Sequence, residues 1–154
     1  MLVMVRDGRV LRRDDDGSLV AVADVSNLST HPWNEVVVGP RGNAYVNNIG
    51  FEFPGGEFAP GIIALVTRDG ASRQVADGIA FPNGMAVTRD GSTLLVAESY
   101  GECLTAFDIA PNSDLTNRPD VGGGQRRSPG RDLRRRGECG VVCGAALAEG
   151  EPLT

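Results

Sequence analysis

The sequence predicts an all-β fold, and three observations carry that reading. Glycine numbers 21 and proline 9, while aromatic residues make up only 5% of the 154 residues. That mix suits many short strands joined by tight turns better than long helices. No window sustains helical periodicity, and turn signals recur at the eight-to-twelve-residue spacing of all-β chains. The length is enough for one ordinary domain with a core of its own.

Residues 2–5, Leu-Val-Met-Val, read as a strand, Asp7-Gly8 as its turn and residues 9–12 as the return. An Asp-Gly pair between short apolar runs is a strong hairpin signal. Asp14-Asp15-Asp16-Gly17-Ser18 forms a second turn, and residues 19–22 a further strand. Three acids and a glycine invite a calcium-loop reading. The alternating ligand spacing and closing Glu are missing, so the stretch reads as a solvated turn.

Val36-Val37-Val38 and residues 43–47 are strands divided by the turn Gly39-Pro40-Arg41-Gly42. Residues 50–61 hold Phe51, Phe53 and Phe58 among glycines and prolines, and read as a long loop. Its apolar side chains either pin it to the body or wall a pocket. Residues 62–66 and 72–76 pair around Arg68-Asp69-Gly70. Phe81-Pro82-Asn83-Gly84 then turns a polar corner into a strand. Arg89-Asp90-Gly91-Ser92 turns that strand back into residues 93–98, and residues 103–109 follow as another strand.

Asn34 opens an earlier stretch of the same plan, 49 residues before Asn83. Four strands per unit and a period near 49 are the signature of β-propeller blades. A blade cannot bury both faces alone, so it needs neighbours. Residues 1–118 supply two to three blades, and the expectation is therefore a partial propeller. A β-sandwich is the alternative, but it leaves the recurring Asn corner without a reason.

Residues 1–118 carry 15 acids against 9 arginines, a net of −6, and the chain has no lysine. That acidity argues against nucleic acid as a partner. No apolar run reaches the length of a membrane helix, and Arg6-Asp7 interrupts the first apolar residues too early for a signal peptide. A cytoplasmic protein is the expectation, with no membrane partner. Cys103, Cys139 and Cys143 are an odd number with no secretory context, so no disulfide framework is expected.

The stretch from His31-Pro32-Trp33-Asn34-Glu35 through Asn47-Asn48-Ile49-Gly50 resembles the gluconolactonase family, also called senescence marker protein 30 and luciferin-regenerating-enzyme-like proteins. Residues 81–100 and 101–109 carry the same resemblance. It implies a six-bladed propeller with a divalent cation in its central channel. The cation is usually calcium, with zinc or magnesium as alternatives. It also implies metal-dependent hydrolysis of small sugar lactones. Asn83 matches the family's metal-binding Asn. Asn34 matches the Asn of a corner that faces metal and substrate, so it is expected to bind one or the other. Glu35 stands where that corner has Asp, and the family's N-terminal metal-binding Glu has no counterpart here. Pro32 stands where some members place a substrate-contacting Arg. A fragment of the lactonase propeller, inactive alone, is the reading that follows.

Calcium takes oxygen ligands, and amides at the inner ends of successive blades can converge on one axial ion. A serine hydrolase is the weaker reading: no nucleophile elbow is present, and His31 is the sole histidine. A non-catalytic propeller or β-rich binding module is the alternative function, with both asparagines serving only as turn residues.

Residues 119–154 change character, with Gly122-Gly123-Gly124, Arg126-Arg127 and Arg134-Arg135-Arg136. They are expected to form a disordered Gly/Arg-rich tail. Read one base on, plausible codons for residues 129–138 yield Pro-Asp-Gly-Ile-Cys-Val-Asp-Ala-Glu, a further corner and strand. A frame-shifted blade is therefore a second expectation for the tail.

Overall fold

The computed structural model describes residues 2–118; the tail, its cysteines and the frame-shift reading lie outside them. Among the described residues there are eleven strands and no α-helix. A first sheet holds β1 (Leu2–Arg6), β2 (Arg9–Arg13) and β3 (Leu19–Asp24). A second holds β4 (Trp33–Val38), β5 (Ala44–Asn48), β6 (Gly61–Val66) and β7 (Ser72–Ile79). The third holds β8 (Pro82–Val87), β9 (Thr93–Glu98), β10 (Cys103–Ile109) and the short β11 (Leu115–Thr116). Each strand pairs antiparallel with its sequence neighbour, so every sheet is a meander, as propeller blades are.

The turns explain why the chain folds back where it does. At β2–β3 the Asp14 N–H donates to Ser18 O and Gly17 N–H to Asp14 O. The same two bonds recur at Thr67–Ala71 and at Ala110–Asp114. Side chains fix such turns locally: Thr67 Oγ1 donates to Asp69, Asn112 Nδ2 donates to Asp114, and in the β8–β9 turn Thr88 Oγ1 and Ser92 Oγ donate to Asp90. The Asp14–Ser18 stretch is such a turn, as its missing ligand spacing implied.

The sheets stack face to face. Tyr45, Ile63, Leu65 and Ile79 of the second sheet meet Leu94, Val96 and Phe107 of the third in one buried core. Val10 and Ala23 of the first sheet join Val25, Ala44, Val46 and Val66 in another. Strands β1, β4 and β8 lie in sequence against one another. At one end of the second and third sheets the join is polar. Tyr45 Oη donates to Ser113 O at 3.0 Å, and Arg41 donates to the carbonyls of Ala110 and Pro111.

Two expectations need adjustment. Both asparagine corners were expected ahead of their strands, but the structure puts them inside β4 and β8. The register jumps from Trp33↔Asn48 to Val36↔Val46, and from Pro82↔Glu98 to Met85↔Val96. Each corner is thus a β-bulge, which keeps the ladder on both sides while turning the extra side chain away from it. Cys103 is disulfide-bonded, where no disulfide framework was expected.

Candidate functional site

Strands β4 and β8 begin, and β5 and β9 end, at one common end of their sheets. The bulges place Asn34 and Asn83 there, each at its second strand position and both exposed. Asn34 Nδ2 donates to Asn83 Oδ1 at 3.3 Å and to Pro82 O at 3.3 Å. Asn83 Nδ2 in turn donates to Ser99 Oγ at 3.3 Å. The two residues picked out by their spacing therefore meet in space.

A third asparagine holds both bulges in place. Asn47 is fully buried on β5. Its Oδ1 accepts the Glu35 N–H at 3.0 Å, and its Nδ2 donates to Asn83 O at 2.6 Å. Bulged residues leave backbone groups unmatched in the ladder, and a buried unmatched group is costly. One buried amide satisfies one such group in each sheet.

Asn48 and Glu98 occupy matching register positions, opposite Trp33 and Pro82. Asn48 Nδ2 donates to His31 O at 2.7 Å, and Glu98 Oε2 accepts the Ala80 N–H at 2.7 Å. Both hold the segment that enters the bulged strand. Glu98 is 5% exposed and also accepts from Thr105 Oγ1 and, at 3.3 Å, from Arg118. Those bonds make it a structural carboxylate. Gly61 lets the third sheet come this close, because a Cβ there would stand 2.0 Å from Asn48 O and 2.8 Å from Pro82 Cδ. Phe81, just before β8, has φ 58, an uncommon value for a bulky residue. The Ser99 N–H bonded to its carbonyl at 3.0 Å helps to hold it there.

Sequence reasoning picked out Asn34 and Asn83 but gave no role to Asn47, Asn48 or Ser99. The signal was present for two of them. Asn47-Asn48 closes the run Ala44-Tyr45-Val46 with two adjacent amides, and every residue of β5 is buried. Buried polar side chains are expected to be bonded, so they point to a built feature.

The amide oxygens fit the chemistry of a hard cation. Asn34 Oδ1 accepts no hydrogen bond among the described residues. Two neutral oxygens are still short of the six to eight that calcium takes. Among the described residues, no three His, Cys, Asp or Glu side chains cluster as a metal site. The asparagines would therefore hold one side of an ion, with its other ligands drawn from elsewhere. His31 is close to Glu52, Nδ1 to Oε1 at 3.5 Å, and among the described residues no helix is long and apolar enough to cross a membrane.

The family described as SMP-30/Gluconolactonase/LRE-like region matches residues 1–137. No curated protein matches the sequence. Regucalcin, a calcium-binding protein from Agrobacterium tumefaciens, is similar over 75% of this chain and 38% of its own, at 20% identity and a TM-score of 0.60. Luciferin-regenerating enzyme is similar over 73% of this chain and 39% of its own, at 19% identity and a TM-score of 0.58. A gluconolactonase from Xanthomonas campestris matches 73% of this chain and 41% of its own, at 23% identity and a TM-score of 0.54. At these identities the likeness is one of fold. The chain spans about two fifths of the length of the structures it resembles.

Proposed function

We propose, from the premise that the chain belongs to the SMP-30/gluconolactonase/LRE-like family, that it is part of a metal-dependent hydrolase of small lactones. Sugar lactones are the substrate class that the family resemblance implies. The observation that carries the reading is the Asn34–Asn83 contact, two side-chain amides brought together at one end of adjacent blades. Asn83 Oδ1 is the metal ligand, and Asn34 is a second ligand or a substrate contact. The cation is calcium in this reading, with zinc or magnesium as alternatives. The net charge of −6 over residues 1–118 favours a cation at the site.

A bound cation there would polarise the lactone carbonyl toward attack by water. The chain's own residues do the positioning. Asn47 fixes the carbonyl of Asn83 and the amide of Glu35, so both bulges keep their aim. Ser99 Oγ, bonded to Asn83 Nδ2, turns the Asn83 amide. With so few ligands in residues 1–118, this chain alone is expected to bind calcium weakly and not to turn over lactone. A cytoplasmic setting and a boundary near residue 118 belong to the same reading.

One observation favours a second reading, a binding module without metal. The Asn34–Asn83–Ser99 hydrogen bonds would serve equally well to lock two corners together. Thermal melting of the full chain separates the two. A melting temperature raised by millimolar calcium over chelator, and no longer raised in Asn83→Ala, supports the metal site. Identical melting with calcium and chelator favours the binding module.

A further inference from the structure

A cleft of about 250 Å³ lies between the first and second sheets. Val10 and Val22 wall it from the first sheet, and Val38, Ala44 and Val66 from the second. Val38 pairs with Ala44, and Ala44 with Val66, at the end of the second sheet away from Asn34 and Asn48. The cleft is therefore remote from the asparagine pair. All five side chains belong to the core shared by these two sheets or pack against it. Protein interiors are packed to crystal-like density, so a gap of this size among core side chains forfeits contacts that a fitted ligand would restore.

The two sheets are pinned together beside the gap. Ser72 Oγ donates to Asp24 O at 3.1 Å, and a Cβ on Gly70 would stand 2.5 Å from Val22 O, so the β6–β7 turn seats directly on β3. The same turn holds Arg68. The Arg68 N–H donates to Asn43 Oδ1 at 3.2 Å, and the arginine stem crosses Gly42, where a Cβ would stand 2.9 Å from Arg68 Cδ. Arg12 and Arg68 both line the cleft, and no carboxylate does. Arg12 Nε donates to Asp14 Oδ1 at 2.8 Å, which offsets its charge. Asp69, next to Arg68, takes the Thr67 hydroxyl instead, and the Arg68 guanidinium has no partner among the described residues. An apolar cleft with one uncompensated guanidinium fits a ligand with an apolar chain and an anionic head.

We propose that this cleft binds a short aliphatic carboxylate, its chain among the valines and its head at Arg68. Arg12 extends the positive rim. The inference uses none of the asparagine-site residues and stands apart from the lactonase reading. At about 30 Å³ for each water-sized group, the volume holds about eight non-hydrogen atoms, the size of hexanoate. A polyhydroxylated acid would lose water against five aliphatic side chains without bonds in return.

The test is a heteronuclear NMR titration of the isotopically labelled full chain with hexanoate, acetate and hexylammonium. Hexanoate should shift the amide signals of Ala44, Val66 and Arg68 saturably. Acetate, with the same head and almost no chain, should bind at least about tenfold more weakly. Hexylammonium, with the same chain and the opposite charge, should leave those signals unmoved at the concentration that saturates hexanoate. Arg68→Gln should weaken hexanoate about tenfold, and Arg68→Lys, which keeps the charge and loses the planar fork, should fall between. Arg68 is exposed, so both variants should melt with the parent, which guards against a folding defect. Hexanoate that fails to bind, or binds no more tightly than acetate, overturns the site. Hexylammonium binding as well as hexanoate, or hexanoate binding unmoved by Arg68→Gln, overturns it too, since no anion is then recognised. Saturable shifts confined to residues away from Ala44, Val66 and Arg68 would place the ligand elsewhere and sink the cleft.

Discussion

Asn34 Nδ2 donates to Asn83 Oδ1 at 3.3 Å across two sheets, between residues 49 positions apart in the chain. Each asparagine sits in a bulge of the first strand of its sheet, so the contact is a product of the repeat. Two blades of like construction, packed side by side, bring like positions together. The pair can then do one of two things: bind each other as a clasp, or turn their oxygens jointly on a ligand.

The ligand reading predicts a specific response of the pair. Asn83→Ala removes an oxygen and a clasp partner, whereas Asn34→Asp keeps an oxygen and adds a negative charge. If a cation is held here, Asn83→Ala abolishes the calcium-dependent rise in melting temperature and Asn34→Asp enlarges it. Differential scanning calorimetry with calcium and with chelator reads both. A rise unaffected by either change would assign the calcium effect to another part of the chain.

Asn47→Leu tests the support beneath the pair. The substitution keeps the branching and heavy-atom count of the side chain, with bulkier methyls in place of the amide, and leaves the Glu35 N–H and the Asn83 carbonyl without their partner beside a buried residue. Each group orphaned in this way costs about 1–3 kcal/mol. Urea denaturation should show a loss of that order per group, and the calcium response should weaken with it because Asn83 loses its anchor. A neutral Asn47→Leu would mean that water replaces the amide on both sides.

Much of this architecture was legible in the sequence because turn chemistry is local. Asp7-Gly8, Arg68-Asp69-Gly70 and Arg89-Asp90-Gly91-Ser92 each mark a hairpin that the structure contains. The 49-residue recurrence gave the blades and the asparagine pair. The bulges were not legible, because they depend on the register with a partner strand and an Asn-Gly corner looks the same before a strand as within one. Asn47 was missed for a related reason. Its two partners are 12 and 36 residues away, on different strands, and only the packed sheets bring them together. The loop between β5 and β6 is legible in its glycines and prolines, yet Phe81 and Tyr100 join its rings only through the third sheet.

The packing between blades carries the stability. Leu65 is fully buried in the core shared by the second and third sheets. Leu65→Ala should lose about 2–5 kcal/mol, since it removes buried methyl groups and leaves a cavity that both sheets line. Leu104, 55% exposed on β10, is its control and should change stability by less than about 0.5 kcal/mol when replaced by alanine. Chemical denaturation of the two variants checks the contrast. A comparable loss in both would mean that Leu104 is covered in solution.

The turn aspartates predict how stability depends on acidity. Asp90 is held below its ordinary carboxylate value of 3.8, chiefly by the Thr88 hydroxyl and then by the backbone N–H and hydroxyl of Ser92. Asp69 is lowered chiefly by the Thr67 hydroxyl, and Asp16 and Asp24 by the hydroxyls of Ser18 and Ser26. A carboxyl group lowered on folding binds its proton more readily in the unfolded chain. Stability therefore rises with pH through this window, and the contribution is complete above the ordinary value. It is lost as pH falls from about 3.8 through the lower folded values. Urea titrations between pH 2 and pH 7 should show a plateau above about pH 5 and a decline below about pH 4. Asp90→Asn should shallow the acid decline, because one of the responding groups is gone. An acid decline equally steep in Asp90→Asn would place the responsible carboxylates elsewhere in the chain.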